Sequence, residues 1–223
     1  RRNTGARSRI SASTGSAAAN VNLADGDSWE WAVAAANPAS LLIVIEQRLG
    51  ALRAEVSAED VLQDALMRSW HARSGFEWRG HRAFRAYLLT LADRCMSDRR
   101  DAQNAIKRGQ GRTVPFSVLS ATGPGPEPPP LSATPSRLAV YAEQKRIMVA
   151  SLESLPEDVR EVVRLRLFEQ RSMTEIGVML ALSLATVQHR TRRGVRLYHL
   201  RLRAAMAESA QIPRPTGDAT PFQ

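Results

Sequence analysis

The sequence predicts an all-α protein: two small helical domains joined by a Pro/Gly-rich linker, the second containing a helix-turn-helix. Three observations lead there. Good helix formers (Ala, Leu, Arg and Glu) dominate, whereas aromatics are only 5% and β-branched runs are scarce. Apolar residues recur at helical spacing in two separate blocks. Between the blocks lies Gly123-Pro124-Gly125-Pro126-Glu127-Pro128-Pro129-Pro130, which excludes a helix and favours an extended, semi-rigid spacer. At 223 residues the chain is long enough for one ordinary domain, or for two small ones with tails.

Residues 1–27 are rich in Ser, Ala, Gly, Asn and Arg without helical periodicity and read as a disordered basic tail. The first domain is expected over 28–108. Leu41 to Ile45 is a short buried stretch, far below the ~20 apolar residues that span a bilayer. Ser57 opens a helix, with Asp60 three residues on in a capping-box relation. Val61, Leu62, Ala65, Leu66 and Trp70 then form one buried stripe, and Asp60, Gln63, Asp64 and Arg68 face the other way. A loop from Gly75 to His81 interleaves aromatics with charge. The next helix buries Phe84, Tyr87, Leu88, Leu91, Ala92 and Cys95, spaced i, i+3, i+4, i+7, i+8, i+11.

The linker is expected over 109–140 and the second domain over 141–207, with a tail at 208–223. Leu155-Pro156-Glu157-Asp158 places Pro in a first helical turn with acids behind it. Ser172 and Glu175 form another capping-box pattern, opening a short helix through Ile176, Met179 and Leu180. After a break at Ala181-Leu182, Ser183 caps a longer helix from Leu184 to about Arg203. Short helix, tight turn and longer helix make the helix-turn-helix pattern.

The net charge is +9, and Lys107 and Lys145 are the only lysines, so the positive charge is nearly all arginine. Its placement is more informative than its total. Residues 186–203 hold Arg190, Arg192, Arg193, Arg196, Arg201 and Arg203 and no acid, whereas 141–175 hold seven acids against six bases. An arginine stripe on the second helix of such a motif points to DNA phosphates and base edges rather than to a merely solvated face. From Arg79 to Arg112 there are nine basic and three acidic residues, beside the loop carrying Phe76 and Trp78. Rings next to arginines suit single-stranded DNA, where bases stack and phosphates are tracked. The alternative is that the two rings close a small core.

No catalytic constellation emerges. His71, His81, His189 and His199 show no metal-ligand spacing with Cys95 or with acids, and the glycines form no phosphate-cradling loop. Asp60 and Asp64 lack a third ligand. Cys95 is the single cysteine and falls on the apolar stripe, which reads as a buried thiol in a reducing compartment. No enzyme activity, cofactor, metal or membrane partner is expected, and the setting reads as cytoplasmic.

Both blocks resemble one family. Ala58-Glu59-Asp60-Val61-Leu62-Gln63-Asp64-Ala65-Leu66 is similar to the acidic signature of sigma factor region 2, and Phe76-Glu77-Trp78-Arg79-Gly80 with Ala83-Phe84-Arg85-Ala86-Tyr87-Leu88 to the stretch after it. Leu155-Pro156-Glu157 with Arg160-Glu161-Val162 resembles the opening of region 4. Thr174-Glu175-Ile176 with Ser183, Thr186-Val187 and Arg190 resembles its helix-turn-helix. Two modules with little between them are similar to the extracytoplasmic-function (ECF) class of RNA polymerase sigma factors.

The resemblance implies promoter recognition and assisted melting during transcription initiation. It implies that Asp60, Gln63, Asp64 and Met67 bind the clamp helices of the largest polymerase subunit, and that region 4 meets the flap of the second-largest. Phe76, Trp78, Arg79, His81, Arg85, Arg94 and Arg99 are implied for the -10 element, and Thr186, Gln188, His189, Arg190, Arg192 and Arg193 for the -35 element. An anti-sigma factor is a further implied partner. Arg94 stands where the family has Asn, Tyr87 where it has Trp, Gly177 where it has Ala, and Ala181 where the turn has Gly. A polymerase-independent helix-turn-helix regulator is the alternative; it leaves the acidic face and the aromatic loop unexplained.

Overall fold

The computed structural model describes residues 23–107 and 130–211. They form eight α-helices and no strand: α1 Gly26–Ala36, α2 Pro38–Leu49, α3 Ala58–His71, α4 His81–Lys107, α5 Pro135–Glu153, α6 Glu157–Val163, α7 Met173–Leu180 and α8 Leu184–Gln211. The all-α expectation holds. Most of the expected tails and linker lie outside the described residues.

Where those boundaries can be checked, two shift. The ordered first module begins before residue 28, because Leu23 is buried and the Asp25 carboxylate caps α1 by accepting from the Ser28 amide at 3.0 Å. The linker ends well before residue 140. A 3-10 turn at Leu131–Ala133 leads into α5, whose Pro135 occupies the first helical turn, where no amide hydrogen is needed. The proline that looks like spacer is a helix start.

Asn37 breaks the first helical stretch. It sits in the left-handed region at φ 57, ends α1, and caps α2 by accepting from Ser40 N at 3.2 Å, with Pro38 starting the new helix. The capping boxes at Ser57/Asp60 and Ser172/Glu175 are both formed. α6 runs on into a single π turn, Arg164–Phe168, which sequence periodicity does not reveal.

α1 to α4 enclose the first core, around Trp29, Leu62, Leu66, Phe84 and Leu88. The Trp29 ring meets Trp70 edge-on at 5.1 Å, and its indole N–H donates to Ser69 Oγ at 3.2 Å. A second core gathers Leu152, Leu155, Val159, Val163, Phe168 and Tyr198, and a third small one closes the helix-turn-helix around Ile176 and Val187.

The modules are not separate beads. Ile43 and Val44 of α2 belong to the second core, while Ala133, Leu138 and Tyr141 belong to the first. Every residue from Leu41 to Ile45 is buried. A helical turn that is apolar all round must be covered on all sides, and this part of α2 is covered because it lies between the two modules. No single helix among the described residues is long and apolar enough to cross a membrane.

Candidate nucleic-acid and polymerase interfaces

α3 presents the acidic face. Asp60 is exposed, although one carboxylate oxygen is shared with its own cap at Ser57 N (3.4 Å). Asp64 is half-buried and paired with Arg99 of α4 at 2.6 Å. An expected polymerase contact and an expected DNA contact thus neutralise each other. Met67 packs against the first core. Gln63 is engaged from outside the module: its side-chain amide donates to the carbonyl of Ala133 at 3.0 Å. Beside it, Lys145 of α5 bridges Glu59 at 3.0 Å and Glu46 at 3.3 Å. Burial works against the Lys145 ammonium, yet the two carboxylates hold its pKa above the ordinary value.

The aromatic loop does both things that its sequence allowed. Phe76 is half-buried, edge-on to Phe84 at 5.5 Å and 4.7 Å from Tyr87, so it closes the core. Trp78 touches Phe84 at 5.8 Å but also joins an outer cluster, with His81 at 5.1 Å and Trp31 at 5.6 Å. Trp31 and His81 are 4.7 Å apart, and Trp31 is 50% exposed. Trp31 is not among the residues that the sequence motifs single out. The signal was there: Trp29 and Trp31 are two apart on one helix, so they cannot both face the core. The Arg79 guanidinium is exposed and pairs with Glu77 at 2.7 Å. Arg94 is exposed along α4.

Arg85 departs from the DNA-contact expectation. It is 4% exposed. Its guanidinium donates to Ala36 O at 2.8 Å, Ser40 Oγ at 2.6 Å and Phe168 O at 2.9 Å. The i+1 neighbour of a core Phe on a helix need not face solvent, and here it faces the second module.

In the second module α7 and α8 form the helix-turn-helix. Ala181 takes the left-handed turn at φ 53, the conformation that costs a residue with a Cβ. Ser183 caps α8 by accepting from Thr186 N at 3.2 Å, and its hydroxyl pairs with that of Thr186 at 2.8 Å. Thr186 therefore has a local role. Gln188, His189 and Arg192 are exposed near the start of α8, with Arg190 half-exposed among them. Arg193 is tied back to Asp158 of α6 at 2.9 Å. Gly194 lets α8 lie against α6: a Cβ there would fall 2.4 Å from Val163 Cγ2.

Comparison with known proteins agrees with this geometry. The family model described as sigma-70 region 2 matches residues 43–106, and that described as sigma-70, region 4 matches residues 145–197. The ECF RNA polymerase sigma factor SigK of Mycobacterium sp. (strain KMS) is 26% identical over 139 residues, 62% of this chain and 66% of that protein. The ECF RNA polymerase sigma-E factor of Escherichia coli (strain K12) is 30% identical over 136 residues, 59% of this chain and 66% of the relative. The matched part of the chain thus spans 66% of the length of these curated relatives.

Proposed function

The chain belongs to the sigma-70 family, in its ECF class, and from that premise we propose that it directs bacterial RNA polymerase to specific promoters and helps to open them. The observation that carries the proposal is the presence of both readers on one chain: a region 2 with an aromatic platform and a region 4 whose recognition helix holds six arginines and no acid over residues 186–203. A regulator that read only duplex DNA would need the second alone.

The chemistry is recruitment and binding. Through Asp60, Gln63 and their neighbours on α3, region 2 docks on the clamp helices of the polymerase; region 4 meets the flap. Gln188, His189, Arg190 and Arg192 lie where the first turns of a recognition helix reach base edges, and the arginines further along α8 contact phosphates. Extruding a base from the duplex costs a few kcal/mol. Stacking on an aromatic ring returns ~1–3 kcal/mol per base, so Trp78 with Trp31 and His81 is a sufficient receptor for one melted base. Arg79 lies next to Trp78 in the chain and Arg94 is exposed further along α4, both available to track the backbone.

Run-off transcription with bacterial core polymerase tests this. The expected result is initiation from a cognate promoter that depends on the chain. Gln63→Ala with Asp64→Ala weakens core binding and spares duplex binding; Arg190→Ala does the reverse. A chain that bound duplex DNA but neither bound core nor directed any initiation would instead be a polymerase-independent regulator.

A further inference from the structure

Between the two modules lies a cavity of about 640 Å3, inside the range of small-molecule sites. Arg82, Arg85 and His81 line it from α4, Arg166 from the π turn, and Tyr198 and His199 from α8. No carboxylate is among the lining residues.

The charge balance of this cavity is unusual. Arg85 is buried, and each of its three hydrogen-bond acceptors is a neutral oxygen. Its Nε is buried without a partner, and so is the Tyr198 hydroxyl. A buried cation needs an opposite charge to offset its desolvation. The charge felt most by Arg85 is a second cation, Arg48, and burial with that neighbour brings its pKa down to about 10. The other guanidiniums keep donors in reserve. Arg82 gives one hydrogen bond, to Gln170 O at 3.3 Å, and feels Glu175 weakly; Arg166 gives one to Arg171 O at 2.8 Å. A guanidinium has five N–H donors.

We infer that this cleft is a binding site for a small phosphate- or carboxylate-bearing molecule, which supplies the missing negative charge and clamps the two modules together. Its size separates the ligand from duplex DNA. A double helix requires an open surface, such as the exposed start of α8, whereas this cleft is walled by both modules. The π turn has a part in building it, because it aims the Phe168 carbonyl at Arg85 and places Arg166 on the wall. The inference goes beyond promoter recognition and stands without it.

Calorimetric titration of the full chain with pyrophosphate, at constant ionic strength in chloride, tests it. The expected result is saturable one-to-one binding at sub-millimolar concentration. Arg82→Gln, from the first module, and Arg166→Gln with His199→Gln, from the second, should each weaken it at least tenfold. Arg201→Gln with Arg203→Gln removes two charges outside the cleft, more than either cleft set, and should leave it unchanged. Circular dichroism confirms that each variant is folded; the two cleft sets are independent, so either alone decides. Absence of saturable binding overturns the inference. So does binding that survives the cleft substitutions, or that falls equally in the control, since the anion would then sit on the general basic surface. A fluorescence pair with one dye on each module should show the distance distribution narrowing with pyrophosphate; binding without narrowing overturns the clamping role.

Discussion

Gly194→Ala gives the sharpest test of how the second module is packed. In an ordinary helix interior the change stabilises by about 1 kcal/mol. Here the added Cβ would stand 2.4 Å from Val163 Cγ2 and 3.1 Å from Val159 Cβ. Carbon atoms in contact prefer ~3.5–4.0 Å, so α6 and α8 must part by roughly 1 Å. Neither valine can swing aside, because a β-branched residue on a helix has one strongly preferred rotamer. Overpacking of this kind costs ~1–3 kcal/mol and outweighs the gain in propensity. A net loss of up to about 2 kcal/mol follows, which lowers the melting temperature by roughly 4–8 °C per kcal/mol for a unit of this size. Urea unfolding followed by circular dichroism reads it. Adding Val163→Ala removes the clashing methyl, so the double variant should be more stable than the two single losses added together, by ~1 kcal/mol or more. If Gly194→Ala matches or exceeds the parent in stability, or the two losses simply add, the close approach of α6 and α8 is not what fixes glycine there.

Ala181→Gly relieves a left-handed turn that costs an alanine ~1–2 kcal/mol, against ~0.4–1 kcal/mol for the looser unfolded chain, so a small gain is expected in the same unfolding assay. Cys95 is 1% exposed and burial pushes its thiol pKa up, so Ellman's reagent should label it slowly at neutral pH and rapidly in urea; fast labelling of the folded chain would contradict the packing of α4. Trp31→Ala removes an exposed ring and should leave the fold and duplex binding alone while slowing promoter opening, measured by permanganate reactivity of unpaired thymines. Lys145→Ala leaves Glu59 and Glu46 without their shared cation and should loosen the hold of α5 on α3, raising affinity for polymerase clamp helices in a pull-down titration.

The sequence displayed what depends on neighbours along the chain. Capping boxes at Ser57 and Ser172, the helix-turn-helix break at Ala181 and the apolar stripe ending at Cys95 all appear where local spacing puts them, since each rests on contacts within four residues or on one periodic face. The misreadings concern contacts across the chain. Arg85 sits in sequence among arginines expected to face DNA, yet its partners Ala36 and Phe168 come from α1 and the π turn. Pro135 reads as one more spacer proline, because only the burial of Ala133 and Leu138 against the first core makes it a helix start. Leu41 to Ile45 showed a buried stretch without showing what covers it. Periodicity tells which residues are inside; it does not tell which module they are inside of.

That distinction bears on function. Gln63, on the face proposed to bind polymerase, gives its side-chain hydrogen bond to Ala133, and Lys145 neutralises Glu59 on the same helix. Docking on the clamp helices through these groups requires the segment before α5 to let go. Arg85 ties α4 to the π turn and Arg82 ties it to Gln170 just after that turn, at the other end of the contact, so the two ends must open together. A closed arrangement favoured by only ~3 kcal/mol leaves roughly 1% of the molecules competent and weakens apparent affinity about 100-fold. Burial of Ile43, Val44 and Leu138, at ~1.5–3 kcal/mol each as an upper bound, is ample for a preference of that size. If region 2 docks as proposed, core polymerase has to overcome an internal competitor as well as bind. Any agent that adds to the contact between the modules, an anion in their cleft included, raises the threshold at which the chain becomes a promoter reader.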